Sequence, residues 1–191
     1  MRLLVLNGSP RRGGNTDLLV AEFVKGAESA GAETSVIVLN DLNISPCQHC
    51  DACLAKGVCR IQDDMQMIYS ELEKADRIVL ASPIHFMSLT AQMKAMIDRC
   101  QALWARKYRL KVPPLGDMRE RKGFFISVGA RKIDSARLFA PALAVVESVF
   151  TVMNVKLVGS LLFPGVDERG GVAKVPGALE QAFKAGRNFV S

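Results

Sequence analysis

The 191-residue sequence lacks the features that mark several large classes of protein. No apolar run approaches the ~20 residues that a helix needs to cross a bilayer, so we expect no contact with a membrane. The apolar stretch 1–6 is too short for a signal peptide and no small-residue cleavage site follows it, which predicts a cytoplasmic protein. No linker, repeat or low-complexity segment divides the chain, so we predict one domain over residues 1–191.

Aromatic residues are also scarce, at 6% of the chain, whereas the formal net charge is +6. Most lysines and arginines are dispersed among acidic residues, and two prolines, Pro113 and Pro114, interrupt the one dense basic stretch, 106–122. Proteins that bind single-stranded nucleic acid place aromatic residues among basic ones, and this stretch has almost none. We therefore expect no nucleic-acid partner. We interpret the stretch as a solvated connection or an oligomer surface, with docking of an anionic donor or cofactor as the alternative.

Short apolar runs alternate with helical stretches along the chain. Strands are predicted at 2–7, 33–39, 77–81, 123–128 and 155–162, and helices at 16–30, 88–104, 135–150, 177–190 and from 63 onwards. This alternation predicts an α/β fold with parallel strands, right-handed crossovers and helices on both faces. Five strands at this spacing suit a flavodoxin-like, doubly wound sheet in the order 2-1-3-4-5. Ligands bind beyond the carboxyl ends of such strands, here the loops after Leu6, Ala81 and Val128.

The loop after the first strand, 7–16, has the composition of an anion cradle. Its glycines let backbone N–H groups turn towards a ligand, and a helix with free N–H donors follows. Ser9, Asn15 and Thr16 add neutral donors, Arg11 or Arg12 adds charge, and no acidic side chain lies within the loop. The loop lacks both the Walker Gly-Lys-Ser/Thr ending and the Gly-x-Gly-x-x-Gly pattern. The alternative is a glycine-rich turn that only caps the helix.

This loop resembles the phosphate loop of the NADPH-dependent FMN reductase and iron–sulfur flavoprotein group. The likeness rests on Gly8-Ser9-Pro10-Arg11 followed by Gly14-Asn15-Thr16. In that group the loop holds the FMN phosphate. The resemblance therefore implies the following phosphate ligands: Ser9, Arg11, Asn15 and Thr16.

The loop after the third strand is expected to form the wall of a flavin site, because it offers apolar side chains and backbone polar groups. It resembles the Ala-Ser-Pro-Ile-Tyr-Phe pattern of the same group, and residues 93–99 match the group's Met-Lys-x-x-Ile-Asp-Arg helix. His85 stands where the group usually has Tyr; it could stack, carry a proton near a reduced flavin, or be an exposed loop histidine without a catalytic role. The predicted flavin-binding residues are Ser82, Pro83, Ile84, His85, Phe86, Gly129 and Ala130, the last two from topology alone.

Four cysteines are crowded into thirteen residues, which in a cytosolic protein indicates metal or redox chemistry rather than structural disulfides. They are Cys47, Cys50, Cys53 and Cys59. Four closely spaced thiolates suit a [4Fe–4S] cluster or a tetrahedral zinc, and three in one tight turn favour the cluster. The stretch 44–60 resembles the compact cysteine motif of the iron–sulfur flavoproteins, and 63–65 also matches that group. Empty or oxidised thiols and zinc remain the alternatives, while Cys100 is interpreted as a core thiol.

The leading hypothesis is an FMN-dependent oxidoreductase that passes electrons between a reduced donor and a small acceptor through FMN and a [4Fe–4S] cluster. The resemblance implies ferredoxin or NAD(P)H as donor and a homodimer or homotetramer; no catalytic residue is assigned. A second hypothesis is a cluster-free NAD(P)H-dependent FMN or quinone reductase. A third, from another class, is a non-enzymatic zinc or nucleic-acid binding module.

Overall fold

Five apolar segments form one parallel sheet in the computed structural model, which describes residues 1–191. The strands are β1 (Arg2–Asn7), β2 (Glu33–Val38), β3 (Arg77–Ala81), β4 (Arg121–Gly129) and β5 (Val155–Pro164). Their order is β2-β1-β3-β4-β5, with parallel pairing throughout. The three central strands are buried along nearly their whole length, as expected for a sheet covered on both faces. The predicted flavodoxin-like fold is confirmed.

Helices cover both faces of this sheet, because alternate residues of the central strands point to opposite sides. The helices are α1 (Asn15–Ser29), α2 (Cys53–Lys56), α3 (Met65–Lys74), α4 (Ala91–Arg99), α5 (Gln101–Trp104), α6 (Ser135–Met153) and α7 (Ala178–Val190). Leu4, Leu6 and Phe125 pack with α3, α4 and α6 in one buried cluster. Leu3 and Val5 pack with α1 and α7 in the other.

Helices α1 and α7 approach each other closely through two glycines. A Cβ atom added at Gly26 would overlap the Phe183 carbonyl, and one added at Gly186 would overlap the Phe23 carbonyl. The two backbones therefore touch where a side chain would hold them apart. This contact fixes α1, whose first turn begins at the loop after β1, against the rest of the fold.

The structure breaks the helix predicted over 88–104 into α4 and α5. The Cys100 thiol donates to the Met96 carbonyl oxygen, with 3.5 Å between the two atoms, while the Cys100 amide turns to the Ile97 carbonyl oxygen at 2.9 Å. A side chain competing for a helix carbonyl in this way disturbs the regular ladder. Cys100 is buried in the core, as predicted, and burial raises the pKa of its thiol to about 12.

Helix α6 is the longest helix of the fold, and Arg137 and Glu147 interrupt its apolar run. Its 19 residues are long enough and apolar enough to cross a bilayer by length and composition, a test that buried core helices also pass. Seven of its residues are buried, and Val146, Val149 and Phe150 among them belong to the cluster that contains Leu6 and Phe125 of the sheet. In this fold α6 serves as a covering helix of β4 and β5.

Candidate functional site

The loops after β1, β3 and β4 are joined at the carboxyl edge of the sheet. The Gly8 amide donates to the Ala81 carbonyl oxygen at 2.7 Å, and the Ile84 amide donates to the Val128 carbonyl oxygen at 2.8 Å. The Ser127 hydroxyl donates to the Ser82 carbonyl oxygen at 2.7 Å. The three loops that the strand order predicts to meet are therefore tied together by hydrogen bonds.

These loops enclose a cleft of about 180 Å³, here called the sheet-edge cleft. Its walls contain eight of the predicted cofactor-binding residues, namely Ser9, Arg11, Asn15, Thr16, Pro83, Ile84, His85 and Ala130. Three others do not line it. Ser82 is buried beneath the cleft, where its hydroxyl accepts from the Thr90 amide; Gly129 packs against Leu138; Phe86 is fully exposed.

Thr16 carries the most informative polar atom in the cleft. The residue is 1% exposed, and its hydroxyl oxygen has no hydrogen-bond partner within the protein. An unsatisfied buried hydroxyl costs on the order of 1–3 kcal/mol, so a ligand that accepts its hydrogen bond would recover that free energy. Gly14, the residue before α1, has no side chain to cap the helix, which leaves the first N–H groups of α1 available to an anion. The residues present therefore fit a phosphate group.

The two arginines of the loop are used differently. The Arg12 guanidinium pairs with the Asp41 carboxylate outside the cleft. The Arg11 guanidinium makes no hydrogen bond or ion pair with the protein, and Arg11 lines the cleft. The Ser9 hydroxyl accepts from the Arg11 amide at 3.3 Å, which holds the turn between them. Arg11 is thus the cation that remains available to a bound anion.

The Asn15 side chain is engaged in holding a second segment against the cleft. Its amide nitrogen donates to the Glu168 carbonyl oxygen at 2.8 Å, and its amide oxygen accepts from the Val172 backbone N–H at 3.0 Å. This pairing places Val166 and Asp167 in the wall of the cleft. The predicted site residues did not include these two, nor Pro10, Gly14 and Val128, which also line the cleft. The available signal was that β5 also ends at the carboxyl edge of the sheet.

The rim of the cleft carries a strained turn. The backbone N–H and C=O groups of His85 and Ser88 pair at 2.9 and 3.0 Å, leaving Phe86 and Met87 as a two-residue turn. Both take left-handed φ values, 48° and 66°, where a two-residue hairpin turn usually has Asn-Gly. Non-glycine residues in that region cost about 1–3 kcal/mol each. The turn holds an exposed aromatic ring beside the cleft.

The four clustered cysteines line a second, smaller space of about 20 Å³, here called the cysteine cavity. Left-handed backbone at His49, Asp51 and Gly57, with φ of 48°, 57° and 65°, turns the chain around this space. Burial raises the pKa of the Cys53 thiol, and the other three cysteines that line the same cavity raise it further. The thiols are nevertheless not in coordinating positions: no three His, Cys, Asp or Glu side chains form a group that could hold a metal ion.

The four thiols of the cysteine cavity are suitable ligands for a metal centre, but the cavity itself is small. A space of this volume holds about one water molecule, so the loop must open for a cluster to enter. The side chains of His49 and Asp51 face solvent, with exposed fractions of 85% and 63%, and nothing packs over them. The tip of the loop is therefore free of packing, whereas Cys53 and Cys59 pack against the buried core and the Gly57 carbonyl oxygen accepts from Arg106 Nε–H at 2.8 Å.

A buried ion pair anchors both ends of this loop. The Arg99 guanidinium donates to the two Asp63 carboxylate oxygens at 2.7 and 3.1 Å, to the Ser45 carbonyl oxygen at 2.8 Å and to the Ile61 carbonyl oxygen at 3.2 Å. Asp63 also accepts from the Ser45 amide. Burial acts to raise the pKa of Asp63, but its hydrogen bonds, with Arg99 first, outweigh burial and leave that pKa below its usual range.

One helix connects the sheet-edge cleft to the cysteine cavity. Thr90 caps α4 by accepting from the Met93 amide, and its hydroxyl donates to the Gly8 carbonyl oxygen at 2.7 Å. Arg99 ends the same helix beside the cysteine cavity. Nine helical residues span about 14 Å. The two spaces thus lie at opposite ends of a single rigid element.

Comparisons with known proteins agree with this architecture. An iron–sulfur flavoprotein of Archaeoglobus fulgidus is 40% identical over 133 residues, which cover 70% of this chain and 64% of that protein. The YwqN protein of Bacillus subtilis, a candidate NAD(P)H-dependent FMN-containing oxidoreductase, is 28% identical over 86% of each chain. The solved NAD(P)H:quinone oxidoreductase of Methanothermobacter marburgensis superposes with a TM-score of 0.69 at 18% identity, covering 98% of this chain and 96% of that one.

The curated iron–sulfur flavoproteins are matched over only part of their length, from 53% to 64% among three of them. The family model of the NADPH-dependent FMN reductases, by contrast, matches residues 1–159, which is most of the chain. The resemblance that the two sequence motifs predict is therefore confirmed. This chain belongs to the NADPH-dependent FMN reductase family.

Proposed function

We propose that the chain is an FMN-dependent oxidoreductase that binds the cofactor in the sheet-edge cleft. The observation that carries this proposal is the buried Thr16 hydroxyl, which has no partner at the uncapped start of α1. The FMN phosphate would accept from this hydroxyl and from the first N–H groups of α1, with Arg11 supplying charge. Asn15 would contribute its backbone N–H, because its side chain is occupied by the segment 168–172.

The remaining loops would hold the flavin ring. Bound FMN supplies hydride or single-electron transfer, and the protein supplies orientation and shielding from water. Pro83, Ile84 and Ala130 offer the wall of the cleft, and His85 offers a polar group at its edge. Phe86 lies outside the cleft, and its exposed ring would cover the flavin from the strained turn. Ser82 and Gly129 would act indirectly, because each packs beneath the loops rather than facing the cleft.

We further propose that the cysteine cavity holds a [4Fe–4S] cluster through Cys47, Cys50, Cys53 and Cys59. Four thiols around one space are the ligand set of such a cluster, and relatives named iron–sulfur flavoproteins support it. The proposed donor is NAD(P)H or ferredoxin and the acceptor a small molecule. A cytoplasmic homodimer or homotetramer without a membrane or nucleic-acid partner completes the proposal.

The test of FMN binding uses the phosphate as a discriminator. Wild-type protein should bind FMN more tightly than riboflavin, which lacks the phosphate. Thr16→Ala should weaken FMN binding by about tenfold or more, since a hydrogen bond to a charged group contributes about 1.5–3 kcal/mol. Riboflavin affinity should not change. Both affinities follow from flavin fluorescence titration.

Thr151→Ala is the matched control, because the Thr151 hydroxyl is exposed and bonds within its own helix, to the Glu147 carbonyl oxygen. It should leave both affinities at the wild-type value. An equal FMN affinity in wild type and Thr16→Ala would refute the phosphate assignment.

A second candidate, a cluster-free NAD(P)H-dependent FMN or quinone reductase, is favoured by one observation: the thiols are not placed to hold a metal ion. Anaerobic reconstitution followed by iron, sulfide and zinc analysis separates the candidates. The cluster predicts about four irons and four sulfides per chain, lost in Cys53→Ser and kept in Cys100→Ala. FMN-loaded protein without iron supports the second candidate, and bound zinc without flavin absorbance supports the zinc module.

A further inference from the structure

One polar group beside the cysteine cavity has no explanation in the fold alone. Arg99 is 1% exposed, and four of its N–H···O hydrogen bonds go to Asp63, Ser45 and Ile61. Its Nε–H is buried and has no partner, although Arg99 lines the cavity together with the four cysteines. A buried donor left unpaired costs about 1–3 kcal/mol.

A second buried arginine shows that this gap is specific to Arg99. Arg121 is 2% exposed and also pairs with a carboxylate, that of Asp117, at 2.8 Å. Its Nε–H, however, donates to the Ala75 carbonyl oxygen at 3.0 Å. Arg121 is therefore satisfied by the protein, whereas Arg99 keeps one donor at the edge of the cysteine cavity.

We propose that Arg99 Nε–H donates a hydrogen bond to a sulfur atom of the cluster or of its cysteine ligands and thereby raises the reduction potential of the cluster. This inference rests on the proposed cluster. The cavity offers cysteine sulfur as an acceptor for this N–H, because its one carboxylate, that of Asp51, is 63% exposed and faces solvent. Hydrogen bonds to sulfur and local net charge are two of the factors that set cluster potentials.

The direction of the effect follows from charge. One-electron reduction adds negative charge to the cluster, and an N–H donor bonded to sulfur stabilises the more negative form beyond what the charge of the guanidinium does. Asp63 offsets part of this charge, but it faces the Nη atoms, so the Nε–H remains directed elsewhere. Arg99 would also hold both ends of the loop through Ser45 and Ile61, which makes it a positioning residue for the ligands.

The first experiment is a redox titration of the reconstituted, FMN-loaded protein. Arg99→Lys keeps the positive charge and the pairing with Asp63 but removes the Nε–H in its planar geometry. The reduced-to-oxidised ratio of the cluster at a fixed potential should fall about tenfold, or about 59 mV for one electron. Arg121→Lys, the matched control, should lower thermal stability without shifting the potential.

The second experiment does not depend on the folding of an Arg99 variant. Wild-type protein labelled with [15Nε]arginine is reduced and measured by pulsed electron paramagnetic resonance for a 15N coupling to the cluster. Arg60→Gln in the same labelled background removes the other arginine that lines the cavity. A coupling that persists in Arg60→Gln and in Arg121→Lys supports the proposal.

The two proposals fail in different ways. Absence of iron and sulfide in reconstituted wild type removes the cluster and this inference together. A cluster that shows no 15N coupling in wild type, or an Arg99→Lys potential equal to that of wild type at equal iron content, overturns the role of Arg99 alone.

Discussion

The sheet-edge cleft and the cysteine cavity are built in opposite ways. Hydrogen bonds between neighbouring loops, several of them between backbone groups, shape the cleft, and the strand order brings those loops to one edge of the sheet. The cysteine cavity lies in the loop 44–60, whose tip faces solvent, whose two ends are anchored by the Arg99–Asp63 ion pair, and whose Gly57 is held by Arg106. The sheet-edge cleft is preformed, whereas the shape of the cysteine cavity depends on the Arg99–Asp63 ion pair and on the group that the cavity binds.

The largest effect is expected when the Arg99–Asp63 ion pair that anchors the cysteine loop is removed. Asp63→Asn should destabilise the protein by about 3–5 kcal/mol, because it leaves the Arg99 charge buried without a partner. Hydrogen exchange over 46–60 should accelerate while exchange at the phosphate loop stays slow. Asp117→Asn is the control, since it removes the half-exposed partner of Arg121 instead. Equal acceleration at both loops in Asp63→Asn would refute the separation of the two sites.

The same anchor gives a pH dependence with a defined sign. The pKa of Asp63 is lowered in the folded state, so its contribution is present in full above the unfolded Asp pKa of about 3.9. It is lost as the pH falls through the lowered folded value. We expect the loop to stay protected from pH 7 to pH 5 and to open under stronger acid, as measured by hydrogen exchange at each pH. Asp63→Asn should abolish this acid step.

A smaller effect is expected at the sheet-edge cleft. Gly186→Ala forces α7 away from α1, and overpacking of this kind costs about 1–3 kcal/mol. Because α1 carries Thr16, FMN affinity should fall together with stability in chemical unfolding, while iron uptake by the cysteine loop should not. Ala185→Gly, the adjacent helical position, should lower stability without the loss of affinity. An unchanged FMN affinity in Gly186→Ala would contradict the link.

The smallest effect concerns the strained turn at the rim. Met87→Gly should stabilise the protein by about 1 kcal/mol, because glycine takes left-handed φ without strain. Lys111→Gly relieves a similar φ of 58° far from the sheet-edge cleft and should stabilise equally. Only Met87→Gly should change FMN affinity, since it alone alters the turn that carries Phe86. Identical flavin binding in both variants would show that the turn does not shape the site.

Local sequence was sufficient for much of the fold and for the sheet-edge cleft. Each strand and the loop from Gly8 to Thr16 are continuous stretches of sequence, so the pattern of neighbouring residues is enough to predict them. The roles of Asn15 and Arg99 could not be found this way, because their partners lie 153 and 36 residues along the chain. The buried Arg121 at the start of β4 was also missed: its partner Asp117 is 4 residues away, but the Ala75 carbonyl oxygen that accepts from its Nε–H is 46 residues away.

Helix α4 has a consequence for cooperativity. Thr90 fixes its first turn to the loop after β1, and Arg99 fixes its last turn to the cysteine loop. A ligand bound at one end of α4 restricts the motion of the helix. A ligand that then binds at the other end loses less conformational entropy. By thermodynamic reciprocity, loading either space should therefore tighten binding in the other by the same factor.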